Sequence, residues 1–274
     1  MTSFDRDSAP LQQALGNWQI WQTQEGTVFS SQPQVVRVLQ GGKTNCTYLV
    51  ESEGLQAAVR INTPNDEQLG IDRKREKLIL QQLEPTGLIP KVFYCDRHSL
   101  VSEYIAGTLL TERAVQQQTI REALDNAIKT IQCVTVPGIS VLNYHTYLER
   151  YCQQIPQQFL SDSIRADISS LAKTIDSADW QPVLCHHDLV LENIIINNKG
   201  LYIIDWEYAA LGHPQLDFLR IFGGDYANTV YSGVEQSLLL TMQNLIDQLW
   251  FVLQYPQLMQ ALEKKLSIVL GDSL

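Results

Sequence analysis

Basic residues are scarce in this chain of 274 residues, which has 20 lysines and arginines against 30 aspartates and glutamates and a formal net charge of −10. A protein that binds nucleic acid through phosphate contacts needs a basic surface, so this charge balance argues against nucleic-acid binding. An acidic surface suits a cationic small molecule, because a cleft of one sign concentrates the opposite charge. Most acidic surfaces, however, serve solubility alone.

Cysteines are few, and they are Cys46, Cys95, Cys133, Cys152 and Cys185. Their odd number, their scatter and the lack of a C-x-x-C pair indicate reduced thiols rather than a disulfide framework. No apolar run approaches the length of a membrane span, and the first residues lack the basic and apolar regions of a signal peptide. These features predict a cytoplasmic protein that does not insert into a membrane.

Two polar motifs lie close together in the second half of the chain. Residues 185–193 read CHHDLVLEN, and residues 201–208 read LYIIDWEY. Between them, an apolar run at 194–196 and an Asn- and Gly-containing turn predict a β-hairpin. A hairpin brings its ends together, so Asp188 and Asn193 on one side should converge with Asp205 on the other. Such oxygen donors suit Mg²⁺, and a carboxylate that does not bind metal can orient a hydroxyl nucleophile.

The pattern His-x-Asp-x-x-x-x-Asn, a hairpin and then Ile-Asp resembles the catalytic loop and metal-binding aspartate of the protein-kinase-like fold. The Ile-Asp-Trp-Glu-Tyr variant resembles the small-molecule branch, which holds choline and ethanolamine kinases, thiamine kinases and aminoglycoside phosphotransferases. The resemblance covers roughly residues 35–225. It implies that Asp188 is the catalytic base, that Asn193 and Asp205 hold Mg²⁺, and that Glu207 is a further metal or substrate contact. The alternative is a chance His-x-Asp and an aspartate that caps a turn.

Three consecutive strands are predicted upstream at residues 35–39, 47–51 and 55–61. The loop between the first two has paired glycines, which let the backbone approach an anion closely, although a plain hairpin turn explains it equally well. It is similar to the loop of choline-kinase-like proteins. That similarity implies phosphate-covering roles for Gly41, Gly42, Thr44 and Asn45.

A basic residue on the third strand is Arg60, whose planar fork suits phosphate oxygens. Choline and thiamine kinases resemble this sequence in placing Arg there, whereas aminoglycoside phosphotransferases typically keep Lys. A helix is predicted over residues 72–83 with Glu76 near its start. The resemblance implies that Glu76 pairs with Arg60, and an exposed charged helix face is the alternative.

Two more strands, at 91–95 and 99–105, lead to a segment that resembles the interlobe hinge of the family. By that resemblance, backbone groups of Glu103 and Ile105 bond the adenine of ATP. Asp217 matches an aspartate that bonds the catalytic-loop backbone in related kinases. Helices are predicted at 112–134, 144–159, 163–177, 235–254 and 256–269. Trp250 belongs to an aromatic cluster that either lines a pocket for a trimethylammonium group or lies in the core.

We therefore predict an α+β, bilobal protein-kinase-like fold. Residues 1–105 form a nucleotide-binding lobe with an antiparallel sheet and one main helix, and residues 106–274 form a mostly helical lobe that contains the catalytic hairpin. The expected activity is phosphorylation of a hydroxyl on a small cationic alcohol, with ATP and Mg²⁺. Choline, ethanolamine or thiamine is favoured, and an aminoglycoside or another alcohol is the alternative. A non-catalytic pseudokinase module is the alternative from another class, which the intact motif residues oppose.

Overall fold

The computed structural model describes residues 8–23, 26–39, 44–225 and 234–271. Its helices are α1 (Ala9–Gly16), α2 (Asp66–Leu69), α3 (Arg73–Leu83), α4 (Glu112–Val115), α5 (Gln118–Gln132), α6 (Tyr144–Gln153), α7 (Asp162–Ser177), α8 (Leu216–Phe222), α9 (Gln236–Gln254) and α10 (Leu262–Gly271). Its strands are β1 (Gln22–Thr23), β2 (Gly26–Thr27), β3 (Gln34–Val38), β4 (Cys46–Ser52), β5 (Leu55–Ile61), β6 (Val92–Cys95), β7 (Ser99–Glu103), β8 (Thr108–Leu109), β9 (Val183–Cys185), β10 (Ile194–Asn197), β11 (Gly200–Ile203) and β12 (Ala210–Gly212). The α+β prediction is confirmed.

Two compact units contain these elements. The first holds the described residues of 1–66, 72–127 and 191–207, and the second holds those of 67–71, 128–190 and 208–274. The first unit is thus assembled from separate stretches of chain and includes the hairpin β10–β11. The predicted division into lobes at residues 105 and 106 stays a prediction.

The first unit is built on a five-stranded antiparallel sheet in the order β3-β4-β5-β7-β6. Apolar side chains recur at every second position, so one face of the sheet is buried. The core on this face is formed by Tyr48, Val50, Ala57, Val59 and Val101 of the sheet, together with Leu11 of α1 and with Trp21. Each large side chain removed from water contributes roughly 1.5–3 kcal/mol. This packing fixes β5, the strand that carries Arg60.

Helix α3 begins one residue later than the predicted range because Asp72 caps it. The Asp72 carboxylate accepts hydrogen bonds from the backbone N–H groups of Lys74 (3.0 Å) and Arg75 (3.1 Å). Such a cap satisfies donors that have no partner inside the helix. The buried apolar face of α3 directs Glu76, on the same side, into the interior.

The predicted hairpin is present as β10 and β11, which pair from Ile194 with Ile203 to Asn197 with Gly200. Strand β10 also pairs with β8, and the N–H of Ile203 donates to the carbonyl of Leu88 at 2.7 Å. The hairpin is therefore part of the first unit's framework, and both motifs begin or end on it.

The second unit is mainly helical, with a core formed by α6, α7, α9 and α10. Strands β9 and β12 pair antiparallel, and β9 leads directly into the loop that contains Asp188. The predicted helix at 112–134 is divided into α4 and α5, since polar residues 116–119 interrupt its apolar face. The helix predicted at 144–159 ends at Gln153, shortly before Pro156, and residues Pro256–Ala261 form a 3₁₀ helix before α10.

The five cysteines are all free thiols, as predicted. Within the described ranges, no helix combines the length and the apolar character needed to cross a membrane.

Candidate active site

Arg60 forms ion pairs with two acidic residues of the first unit. Its Nη2 atom donates to both carboxylate oxygens of Glu76 (2.7 and 2.8 Å), and its Nη1 atom donates to Oδ1 of Asp205 (3.1 Å). Burial raises the pKa of Glu76, but the guanidinium groups of Arg60 and Arg73 outweigh that effect, and the pKa lies below its ordinary value. The expected pairing of Arg60 with Glu76 is present.

Arg73 is a second buried cation, which sequence reasoning did not single out. It pairs with Asp66 (2.9 Å), with Glu76 (2.9 Å) and with Glu207 (2.8 Å). The sequence does contain a signal that could have identified Arg73. It is the first residue of α3 and lies three positions before Glu76, so the two side chains share a helix face. Arg60 and Arg73 together connect β5 and α3 to the motif that contains Asp205.

Glu207 and Asn45 both belong to this buried network. The Oε2 atom of Glu207 accepts hydrogen bonds from Nδ2 of Asn45 (2.7 Å) and from Arg73, and only 2% of Glu207 is exposed. Burial, and then the neighbouring Asp205 carboxylate, raise the pKa of Glu207 to about 7 although Arg60 and Arg73 oppose them. The observed contacts of these two residues are therefore with other protein groups. Direct contact with a ligand stays a prediction for both.

Asp205 and Asn193 lie at the two ends of the hairpin. The backbone N–H of Ile204 donates to the carbonyl of Asn193 (2.9 Å), which brings the two ends together as predicted. Asp205 has a φ of 66°, an uncommon left-handed conformation that occurs often at functional sites. Its side chain is 35% exposed.

A carboxylate and an amide oxygen are donors that fit Mg²⁺, which usually takes only one or two protein ligands and completes its shell with water and phosphate. Among the described residues there is no cluster of three or more His, Cys, Asp or Glu side chains arranged to hold a metal. The donor set at Asn193 and Asp205 therefore fits an ion that is shared with a phosphorylated substrate.

The loop of the second unit that contains Asp188 is held by Asp217, as predicted. Its carboxylate accepts hydrogen bonds from the backbone N–H groups of His186 (2.7 Å) and His187 (3.1 Å). His187 has a left-handed φ of 64°. The Nδ1 atom of His186 lies 3.3 Å from the backbone N–H of Asp188, so this buried histidine braces the loop.

Asp188 projects from this loop with 34% of its side chain exposed. Its Oδ1 atom lies 3.4 Å from Nη2 of Arg220, a residue in the last turn of α8. Arg220 also forms two hydrogen bonds with Asp247 of α9, at 2.5 and 2.9 Å. Sequence reasoning had selected neither Arg220 nor Asp247, because each is an isolated charge in an apolar helical pattern.

Only some of the predicted nucleotide-binding residues lie in the part of the chain that the structure describes. Gly41 and Gly42 lie outside the described residues, whereas Thr44 is half-buried. The N–H of Glu103 donates to the carbonyl of Lys91 at 2.8 Å, so the group that Glu103 can offer to an adenine is its carbonyl. The side chain of Ile105 is buried.

Trp250 packs against the helical core of the second unit. Its Nε1 atom donates a hydrogen bond to the hydroxyl of Tyr208 at 2.8 Å. The structure thus shows the core packing that was the alternative to a pocket wall, and a substrate contact by Trp250 stays a prediction.

Known proteins resemble this chain in sequence and in fold. Residues 36–265 match the family of choline/ethanolamine kinases. The match covers most of the chain, and the chain belongs to this family. Human ethanolamine kinase 1 is 25% identical over 171 residues, which are 56% of this chain and 38% of that protein. The chain therefore spans less than half the length of this relative.

Solved structures share the fold. LicA in complex with AMP aligns with a TM-score of 0.70 at 24% identity, over 90% of this chain and 95% of LicA. The gentamicin complex of APH(2")-IIa aligns with a TM-score of 0.62 at 19% identity, over 98% and 97% of the two chains. The predicted relation to choline and ethanolamine kinases is confirmed by the family match, and the aminoglycoside phosphotransferase has the same fold.

Proposed function

We propose that this protein is a kinase that transfers the terminal phosphoryl group of ATP to the hydroxyl of choline or ethanolamine. The observation that carries the proposal is the pair of motifs on one hairpin framework in a chain of the choline/ethanolamine kinase family. The AMP bound to a structural neighbour supports a nucleotide as co-substrate.

In the proposed reaction, Asp188 orients the substrate hydroxyl and accepts its proton late. The hydroxyl oxygen forms a bond to the terminal phosphorus while the bond from that phosphorus to ADP breaks. Such a transfer depends chiefly on positioning and on stabilisation of charge, because its transition state is loose. The braced backbone at His186 and His187 supports the first requirement.

Asn193 and Asp205 are the residues that would hold Mg²⁺, whose chemistry there is to neutralise phosphate charge. Arg60 supplies a permanent cation on the nucleotide side. Among the described residues, its Nη1 atom donates to Asp205 only, so one N–H of that atom is available to a phosphate oxygen. The loop with Gly41, Gly42, Thr44 and Asn45, and the backbone at Glu103 and Ile105, complete the proposed ATP site.

The choice of alcohol rests on the family and on charge. The net charge of −10 favours a cationic substrate such as choline or ethanolamine. Glu207 and Trp250 were predicted to contact it, and both are engaged in internal hydrogen bonds. Thiamine and the aminoglycosides are the alternative acceptors.

The test is ATP consumption with choline, ethanolamine, thiamine and an aminoglycoside panel, together with detection of the phosphorylated alcohol. Asp188→Asn and Asp205→Asn are compared with Asp179→Asn, a control at an exposed carboxylate. We expect turnover of choline or ethanolamine, a loss of ~10²- to 10⁴-fold in Asp188→Asn, and an unchanged rate in the control.

Two results would contradict the proposal. Turnover that survives in Asp188→Asn would remove the assigned base. Binding of ATP without phosphorylation of any alcohol would favour a nucleotide-binding module instead.

A further inference from the structure

We infer that Arg220 is a positioning residue for Asp188 and that Asp247 anchors it. This inference rests on the proposed function, in which Asp188 is the base. The three residues come from different elements of the second unit: the catalytic loop, α8 and α9.

The contacts of Arg220 are unequal. Two short, charge-assisted bonds join its Nη1 and Nη2 atoms to the two oxygens of Asp247, at 2.5 and 2.9 Å. Only the longer contact of 3.4 Å joins Nη2 to Asp188. Bidentate hydrogen bonds fix the plane of a guanidinium as well as its distance from the carboxylate. Asp247 therefore sets the position of the arginine, and the arginine in turn limits the orientations of Asp188.

Helix α8 holds the catalytic loop at two points. Asp217 in its first turn binds the loop backbone, and Arg220 in its last turn contacts the Asp188 carboxylate. Helix α8 is itself tied to α9, because Nε2 of Gln243 donates to the carbonyl of Leu216 at 2.9 Å. Asp247 lies on α9 one turn beyond Gln243. The anchor and the loop thus belong to one hydrogen-bonded assembly.

The charge of Arg220 gives a reason to assign positioning rather than activation. A cation beside a carboxylate stabilises the ionised form, so it makes proton acceptance by Asp188 harder. A loose phosphoryl transfer demands little proton abstraction early in the reaction but a well-placed hydroxyl. A carboxylate whose direction is fixed meets that demand. With only 19% of its side chain exposed, Arg220 is also shielded from competing water.

The experiment compares Arg220→Met, Arg220→Lys and Asp247→Asn with Arg165→Met. Arg165 lies in the same unit and donates to the backbone carbonyls of Cys152 (2.6 Å) and Ile155 (2.7 Å), so its loss tests a purely structural arginine. We expect kcat to fall ~10- to 100-fold in Arg220→Met while KM for ATP stays within about 3-fold. Arg220→Lys should recover part of kcat, because an ammonium keeps the charge but not the fork.

Asp247→Asn should lower kcat in the same direction but less. Arg165→Met should lower the melting temperature without changing kcat of the folded enzyme. Crystal structures of the wild type and Arg220→Met provide a readout that needs no substrate. We expect the Asp188 carboxylate to change orientation in Arg220→Met and to keep it in Arg165→Met.

Asp188→Asn in the same assay separates the two claims. An active Asp188→Asn would refute the proposed base, and the crystal structures would still decide whether Arg220 orients this side chain. An inactive Asp188→Asn beside an Arg220→Met enzyme of wild-type kcat would overturn the inference. An unchanged Asp188 carboxylate in the Arg220→Met crystal would overturn it equally.

Discussion

Replacement of Arg73 by methionine tests whether the buried charge network supports the fold. The guanidinium of Arg73 lies within 3 Å of carboxylate oxygens of Asp66, Glu76 and Glu207. Methionine keeps most of the side-chain volume but removes the positive charge. Removal of one partner from a buried ion pair costs about 3–5 kcal/mol, because the remaining charge is left uncompensated. Since three carboxylates share Arg73, we expect a loss of about 4 kcal/mol.

Such a loss is a large part of the roughly 5–15 kcal/mol that stabilises a typical domain. The assay is urea unfolding followed by circular dichroism, and we expect the midpoint to fall by at least about 1 M. Lys74→Met, at an exposed position of the same helix, is the matched control and should change stability by less than about 0.5 kcal/mol. Adding Glu207→Gln to Arg73→Met should restore part of the loss, because it removes one unpaired buried carboxylate. A change below about 1 kcal/mol in Arg73→Met would refute the reasoning.

Two further predictions concern the second unit. Burial lowers the pKa of His213 from 6.5 to about 4, so the folded state holds this group neutral and stability is lost as the pH falls from about 6.5 to 4. The loss should reach about 3 kcal/mol, and His213→Gln should flatten the stability–pH curve in that window. A curve of unchanged slope in His213→Gln would contradict the assignment. Gly212→Ala would place a Cβ 2.5 Å from Nε2 of His187 and 2.6 Å from the hydroxyl of Tyr144. We expect Gly212→Ala to lower both kcat and the melting temperature. Wild-type values for both would show that His187 and Tyr144 can move to accommodate the added methyl group.

The sequence was sufficient for those parts of the fold whose pattern is local. Strand β5 has the predicted bounds, the predicted hairpin is present between the two motifs, and the helix with Glu76 begins one residue after its predicted start. Alternating apolar residues and a turn that contains Asn and Gly each act within a few residues, so they can be read from one chain. The interaction of Asp217 with the catalytic loop came from resemblance to a family rather than from any local pattern.

The parts that could not be predicted depend on contacts between distant residues. Arg73 meets Glu207 across 134 positions, and Arg220 meets Asp188 across 32. A charged residue on a helix is usually solvated, and nothing local distinguishes one that is buried in a network. Trp250 illustrates the same limit, because its hydrogen bond to Tyr208 was not evident from an aromatic cluster.

The hairpin β10–β11 has a consequence for how the chain reaches its native state. Strand β10 pairs with β8, more than 80 positions earlier, and both lie in the first unit. During synthesis from the N-terminus, the five-stranded sheet is available long before the hairpin emerges, so the first unit cannot be completed until residue 207 has left the ribosome. Contacts of such long sequence separation slow folding, because the intervening loop must be closed before they form. A fragment that stops at residue 105 would lack β8, β10 and β11, which complete this unit. We therefore do not expect such a fragment to fold alone.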